Sequence, residues 1–199
     1  VRSDVRVAWG PAPERRSRRD AAWLLLGGLI GDSARISTGC ARCGGDHGPV
    51  RISGAALCAS VSYAGGLAIV AVADSRSVAS LGIDAEATDD PIRSREGYAR
   101  ALGRASATVT DWVRVEAALK ADGRGLRVDP RSVEVTGDAD AWTAVVPGSG
   151  AFQGWDFPGP AGIAIGIATY ERATQNGAII RSTCIAAGSS GVTAGRSMR

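Results

Sequence analysis

Histidine and lysine are nearly absent from the 199-residue chain. His47 and Lys120 are the single examples, so every other cationic side chain is arginine. One histidine rules out two-histidine zinc catalysis of the HExxH kind and forces any Ser-His-Asp or Cys-His scheme onto His47. One lysine, with no GxxxxGK[ST] around it, rules out a lysine-bearing P-loop. Aromatics make only 5% of the chain while glycine reaches 27 residues, which leaves little core volume per residue and predicts small packing units. No apolar run approaches the roughly 18 residues of a membrane span. Residues 23–30 are too short, follow an arginine cluster and lack a small-residue cleavage site at once behind them; they read as a buried helix rather than a signal peptide. The four cysteines, Cys40, Cys43, Cys58 and Cys184, are not spaced as a disulfide framework, and a reducing cytoplasm is the expected setting. A net charge of +3 and a pI near 8.9 permit anionic partners without specifying nucleic acid; neither nucleic acid nor a membrane is expected as partner.

What is present alternates between helical and extended patterns. Residues 1–19 are rich in proline and arginine, with Arg15, Arg16, Arg18 and Arg19 clustered. Asp20 is a helix cap for residues 21–30, and residues 39–54 read as a loop with Gly-Gly-Asp and Gly-Pro turns. Strands are expected at 60–63, 67–73 and 79–86, the first two joined by a Gly65-Gly66 hairpin turn. Helices follow at 94–104 and 112–121, the second capped by Thr110 or Asp111 and stopped by Gly123. Strands at 132–136, 142–146 and 161–169 complete the ordered part. The stretch from Gly66 echoes the one from Gly162, a hint of a duplicated α/β unit. Beyond residue 171 periodicity is lost and a disordered tail is expected.

Three segments carry chemistry. In Gly82-Ile83-Asp84-Ala85-Glu86, a strand puts Asp84 and Glu86 on one face. Two adjacent carboxylates repel unless a cation or proton lies between them, and a hard cation such as Mg²⁺ suits oxygen ligands; the alternative is a solvated strand end. Glu116 and Lys120 are four apart and share a helix face, as a surface ion pair or as a metal ligand or base beside a phosphate-directed ammonium. A chain that uses arginine everywhere else retains its lysine here, where a compact ammonium differs from a guanidinium. Cys40-Ala-Arg-Cys43-Gly-Gly-Asp-His47-Gly, with Cys58, offers Cys₃His for zinc, a tight turn, or an anion contact through His47 and main-chain N–H groups.

In this order the segments resemble the 4′-phosphopantetheinyl transferase superfamily, Sfp type. The CxxCG…HG segment of that family corresponds to Cys40–Gly44 and His47-Gly48. Its N-x-S-H segment corresponds to Ser60-Val61-Ser62-Tyr63, and G-[IV]-D-x-E to Gly82–Glu86. W-x-x-K-E-A-x-x-K-A-x-G-x-G-L corresponds to Trp112–Leu126, with the first lysine changed. The resemblance spans residues 15 to 169. It implies an α+β fold built as a pseudo-duplicated α/β unit, two similar halves that each pack a helix on a small antiparallel sheet, with the active site between them. The halves would be residues 1–87 and 88–170, with 171–199 as a tail.

The implied activity is Mg²⁺-dependent transfer of phosphopantetheine from coenzyme A to a serine of an acyl or peptidyl carrier protein, releasing 3′,5′-ADP, by a cytoplasmic monomer. The resemblance makes Asp84 and Glu116 ligands of Mg²⁺, with Glu86 a third ligand or one acting through water. Glu116 would also be the base, and Lys120 would bind the pyrophosphate; Asp84, Glu116 and Lys120 are the catalytic set. His47, Gly48, Arg51, Ser62 and Tyr63 become coenzyme A contacts. Where the family has histidine, lysine, a basic residue and arginine, this chain has Tyr63, Val115, Pro49 and Gly28. Arg15 to Arg19, Arg42 and Arg51 are the candidates to restore that charge. Two other classes stay open: a non-catalytic homologue that binds carrier protein or coenzyme A, and a zinc module on Cys40, Cys43, His47 and Cys58.

Overall fold

The computed structural model describes residues 4–12, 18–40, 43–45, 48–89, 95–171 and 193–194. The chain runs β1 (Val5–Pro11), α1 (Arg18–Ile30), β2 (Arg35–Thr38), β3 (Val50–Ser53), β4 (Leu57–Ala64), β5 (Leu67–Asp74), β6 (Val78–Ala87), α2 (Arg95–Leu102), α3 (Val109–Asp122), β7 (Glu134–Gly137), β8 (Trp142–Val146), β9 (Gly150–Asp156), β10 (Ile163–Glu171) and β11 (Thr193–Ala194). The protein is mixed α+β, with its strands in antiparallel sheets.

Two sheets form the middle layers, in the orders β11-β1-β5-β4 and β6-β10-β9-β8-β7, and β2 and β3 make a separate hairpin. The apolar run of β5 is buried on both faces because alternate residues serve different cores. Ile69, Ala71 and Ala73 join Val5, Val7, Ile83, Ala85, Ile165 and Ile167 between the sheets. Ala68, Val70 and Val72 face Ala22, Leu25 and Leu26 of α1 on the outside. A third core packs Val115, Ala118 and Leu119 of α3 on Trp142, Ala144 and Phe152 of the second sheet. The layers are therefore helix, sheet, sheet, helix. The boundary expected at Ala87 falls at the end of β6, a strand hydrogen bonded to β10 of the second sheet.

Several local expectations are corrected. A strand, β1, occupies the Pro- and Arg-rich start; Val5, Val7 and Trp9 alternate inward, and the strand pairs along its length with β5. The first helix begins at Arg18, so Asp20 lies in its first turn, where a carboxylate complements the helix dipole, rather than at the cap. The cap of α3 is Thr108, two residues before the first expected one, in a reciprocal capping box with Asp111. Gly123 ends that helix as expected, with φ 82°. β9 was not legible because it lacks an apolar run; Gly154 is there because the Trp142 ring lies across it, and a Cβ would come within 2.2 Å of that ring. Glu171, the first residue of the expected tail, ends β10, and Thr193–Ala194 pair with β1; the rest of the expected tail lies outside the described residues.

Two glycines set the position of α3. A Cβ on Gly82 of β6 would lie 2.0 Å from the Ala117 carbonyl oxygen, and one on Gly166 of β10 would lie 2.8 Å from that of Val113. The helix backbone thus rests directly on the sheet. Asp84 and Glu86 share the strand face of Gly82 and so lie along the same helix.

Candidate active site

Three positions of α3 one turn apart, Trp112, Glu116 and Lys120, share one helical face. Trp112 Nε1 donates to Glu86 Oε1 at 3.3 Å, and Lys120 Nζ donates to Asp84 Oδ1 at 2.7 Å. Glu116 lies between these two contacts on the same face, so two of the three segments singled out in sequence, Gly82–Glu86 and Trp112–Lys120, converge here. Asp84 and Glu86 are both buried, at 5% and 8% exposure.

Lys120 makes more contacts than an ion pair. Its ammonium also reaches Val61 O at 3.3 Å, Ser62 Oγ at 3.1 Å and Ile83 O at 3.0 Å. Four oxygens from β4 and β6 surround three N–H protons. A surface Glu116–Lys120 pair is therefore not the main engagement of this lysine. Asp84 Oδ2, in contrast, is buried with no hydrogen-bond partner. A buried carboxylate oxygen in that condition calls for a cation, a water or a proton. Glu86 on the same strand face and Glu116 on the facing helix would complete an all-oxygen donor set, the kind that suits a hard divalent cation such as Mg²⁺. Among the described residues, no group of three His, Cys, Asp or Glu side chains stands placed to hold a metal ion.

A cavity of about 680 Å³ opens at the seam of the two sheets, between α1, the β2–β3 hairpin, β4 and the C-terminal end of α3. Arg19, Arg51, Lys120, Arg124 and Arg127 line it, and no carboxylate does so among the described residues. Arg124 is paired with Asp122 behind the wall, as Lys120 is with Asp84, which weakens the positive field without cancelling it. These cations also offset the negative end of the α3 dipole, which points here. At the mouth the Arg19 guanidinium stacks 5.8 Å over Trp23 and that of Arg18 5.9 Å over Tyr63. Burial raises the Tyr63 phenol above its ordinary pKa against the pull of Arg19 and Arg18, so at neutral pH it keeps its proton and can donate.

Most expected ligand contacts reach this cavity: Gly48, Arg51 and Tyr63 line it, as does Pro49. Gly48 has φ 130°, and a Cβ there would meet the Gly39 carbonyl at 2.8 Å, so only glycine suits the turn. Ser62 is turned instead towards Asp84. His47, Arg15, Arg16 and Arg42 lie outside the described residues. Val115 is fully buried in the core beneath α3, where a lysine would be an unpaired buried charge. Cys58 does not suit the zinc alternative. Its one thiol proton is shared between Ala73 O and Val78 O from within β4, on a strand away from the Cys40–Cys43 turn, and burial pushes its pKa up to about 11. Sequence reasoning missed Trp23, Arg124 and Arg127 as cavity residues; an arginine-rich chain gives no signal to single them out.

Searches of protein-family models and of curated proteins find no match to this chain.

Proposed function

We propose that the protein is a 4′-phosphopantetheinyl transferase, moving phosphopantetheine from coenzyme A to a serine hydroxyl of an acyl or peptidyl carrier protein. The observation that carries this reading is the junction at Lys120. One side of it is a cavity lined, among the described residues, by five cationic and no acidic side chains; the other is a buried carboxylate with an unsatisfied oxygen. A polyanion beside carboxylates that hold a divalent cation is what phosphoryl transfer to an alcohol requires.

In this reading Asp84, Glu86 and Glu116 would be the residues to hold Mg²⁺, whose charge would offset that of the pyrophosphate. Glu116 takes the serine proton. The serine oxygen forms a bond to the phosphorus bearing pantetheine, the bond from that phosphorus to the bridging oxygen breaks, and 3′,5′-ADP leaves. Lys120 borders both cavity and carboxylates and stabilises the leaving oxygens. Arg18, Arg19 and Arg51 supply the charge absent at Tyr63, Pro49 and Gly28. The strand orders β1-β5-β4 and β6-β10-β9 would suit a duplicated ancestry with the halves divided before β6 rather than after it, because β5 and β10, which echo each other in sequence, then each lie between the first and penultimate strands of their half. A duplicated chain can act as a cytoplasmic monomer.

One observation favours a second reading, a non-catalytic homologue that binds coenzyme A or carrier protein: the Lys120 ammonium already occupies Asp84 Oδ1. Both readings require an anion-binding cavity. 3′,5′-ADP is expected to bind at least tenfold more tightly than uncharged pantetheine, and Arg51→Ala to lose most of that advantage. Equal affinity for the two ligands in calorimetry would sink both readings. Labelled transfer to a carrier separates them.

A further inference from the structure

β4 and β6 are end strands of different sheets that lie side by side, and serine hydroxyls bridge them in place of a main-chain ladder. Ser60 Oγ accepts from the Ile83 N–H at 3.1 Å, and Ser62 Oγ from the Ala85 N–H at 3.2 Å. Ser62 does two further things. Its hydroxyl donates to Asp84 Oδ1 at 2.9 Å and accepts from Lys120 Nζ at 3.1 Å. A hydroxyl has one proton and two lone pairs, so these three bonds spend it completely. Ser62 is 6% exposed and could bind a phosphate only by breaking one of them.

Asp84 is held asymmetrically as a result. Oδ1 receives both Ser62 and Lys120, while Oδ2 is buried and receives nothing. A carboxylate gripped through one oxygen has its rotamer fixed and its other oxygen held out for a ligand, the usual arrangement behind metal-binding carboxylates. We propose that Ser62 is a positioning residue that orients Asp84 so that Oδ2 is offered to the divalent cation, and not a coenzyme A contact. This rests on the metal reading of Asp84 given above.

Ser60 provides the control, since it makes the equivalent main-chain bridge without touching Asp84. Mn²⁺ binding to the full chain, followed by electron paramagnetic resonance with and without coenzyme A, is the direct test. Ser62→Ala is expected to weaken Mn²⁺ binding by ten- to a hundredfold. Ser60→Ala should stay within twofold of wild type, and Ser62→Thr, which keeps the hydroxyl, within threefold. The affinity of Ser62→Ala for 3′,5′-ADP without metal should change less than twofold. Equal weakening of Mn²⁺ binding in the two alanine variants would reduce Ser62 to a strand bridge and overturn the proposal. So would lost 3′,5′-ADP affinity with unchanged Mn²⁺ binding, which would make Ser62 a ligand contact. No Mn²⁺ binding by the wild type overturns the metal reading itself, and the role of Ser62 with it. If Ser62→Ala does not fold, Ser62→Cys, close in size and a poor donor, makes the same comparison.

Discussion

Gly82→Ala is the substitution with the largest expected structural consequence. The added Cβ would lie 2.0 Å from the Ala117 carbonyl oxygen and 2.6 Å from the Ala121 nitrogen. Ordinary C···O contacts are about 3.3 Å or longer, so helix and strand must separate by roughly 1 Å. Both opposing atoms belong to the helix main chain, and no side chain can rotate out of the way. Overpacking usually costs about 1–3 kcal/mol, and a backbone-on-backbone clash belongs at the upper end, about 3 kcal/mol. With a urea m-value of about 2 kcal/mol/M, the unfolding midpoint should fall by about 1.5 M, which fluorescence of the five tryptophans can follow. The displacement also pulls Lys120 from Asp84 and Trp112 from Glu86, so Mn²⁺ binding should fall even in the fraction that remains folded. Gly28→Ala provides the contrast: nothing lies within 4 Å of a Cβ there. A glycine-to-alanine change inside an exposed helix should stabilise by about 0.5–1 kcal/mol. If Gly82→Ala unfolds within 0.2 M of wild type, the close seating of α3 on β6 is wrong, and so is the geometry built on it.

Other expectations are independent of that seating. Lys120→Ala should slow transfer by on the order of 10²–10³ if the ammonium stabilises the transition state, whereas a lysine serving only the fold would leave turnover per folded molecule unchanged. Cys58 has a thiol pKa raised from 9.0 to about 11 by burial. The unfolded chain therefore ionises first, and the stability from keeping this thiol protonated is complete below pH 9 and is lost as pH rises towards 11. Cys58→Ala should flatten the decline in urea midpoint between pH 9 and pH 11; an identical decline would assign it to other groups. In the native state at pH 7.5, iodoacetamide should modify the exposed Cys43 well before Cys58, and peptide mapping showing the reverse order would contradict the burial argument.

The parts of the fold legible in sequence are those whose signal is local. β5 and β10 are continuous apolar runs, and Gly123 stops α3 because only glycine readily adopts its left-handed backbone. β1 escaped because proline and arginine around it mask the alternation of Val5, Val7 and Trp9, and β9 because its place is set by Trp142 across the sheet. In the site, Asp84, Glu86, Glu116 and Lys120 could be singled out by spacing, since strand and helix periods put each pair on one face. Their actual partners could not. The hydroxyl of Ser62 reaches Lys120 across 58 positions and Asp84 across 22, distances over which sequence spacing says nothing. The same holds for Val115, which departs from the family pattern where a charged residue would point into the core.

The central claim is that carboxylates on β6 and α3 serve a phosphoryl transfer from coenzyme A. Incubation of the protein with Mg²⁺, coenzyme A labelled in its pantetheine arm, and apo carrier proteins of fatty acid, polyketide and non-ribosomal peptide type tests it most directly. The account predicts label covalently bound to a carrier serine, dependent on Mg²⁺ and reduced to background by Asp84→Ala. Label no greater than that of the Asp84→Ala protein, across all three carrier types and with 3′,5′-ADP binding intact, would contradict it and leave a coenzyme A-binding protein in its place.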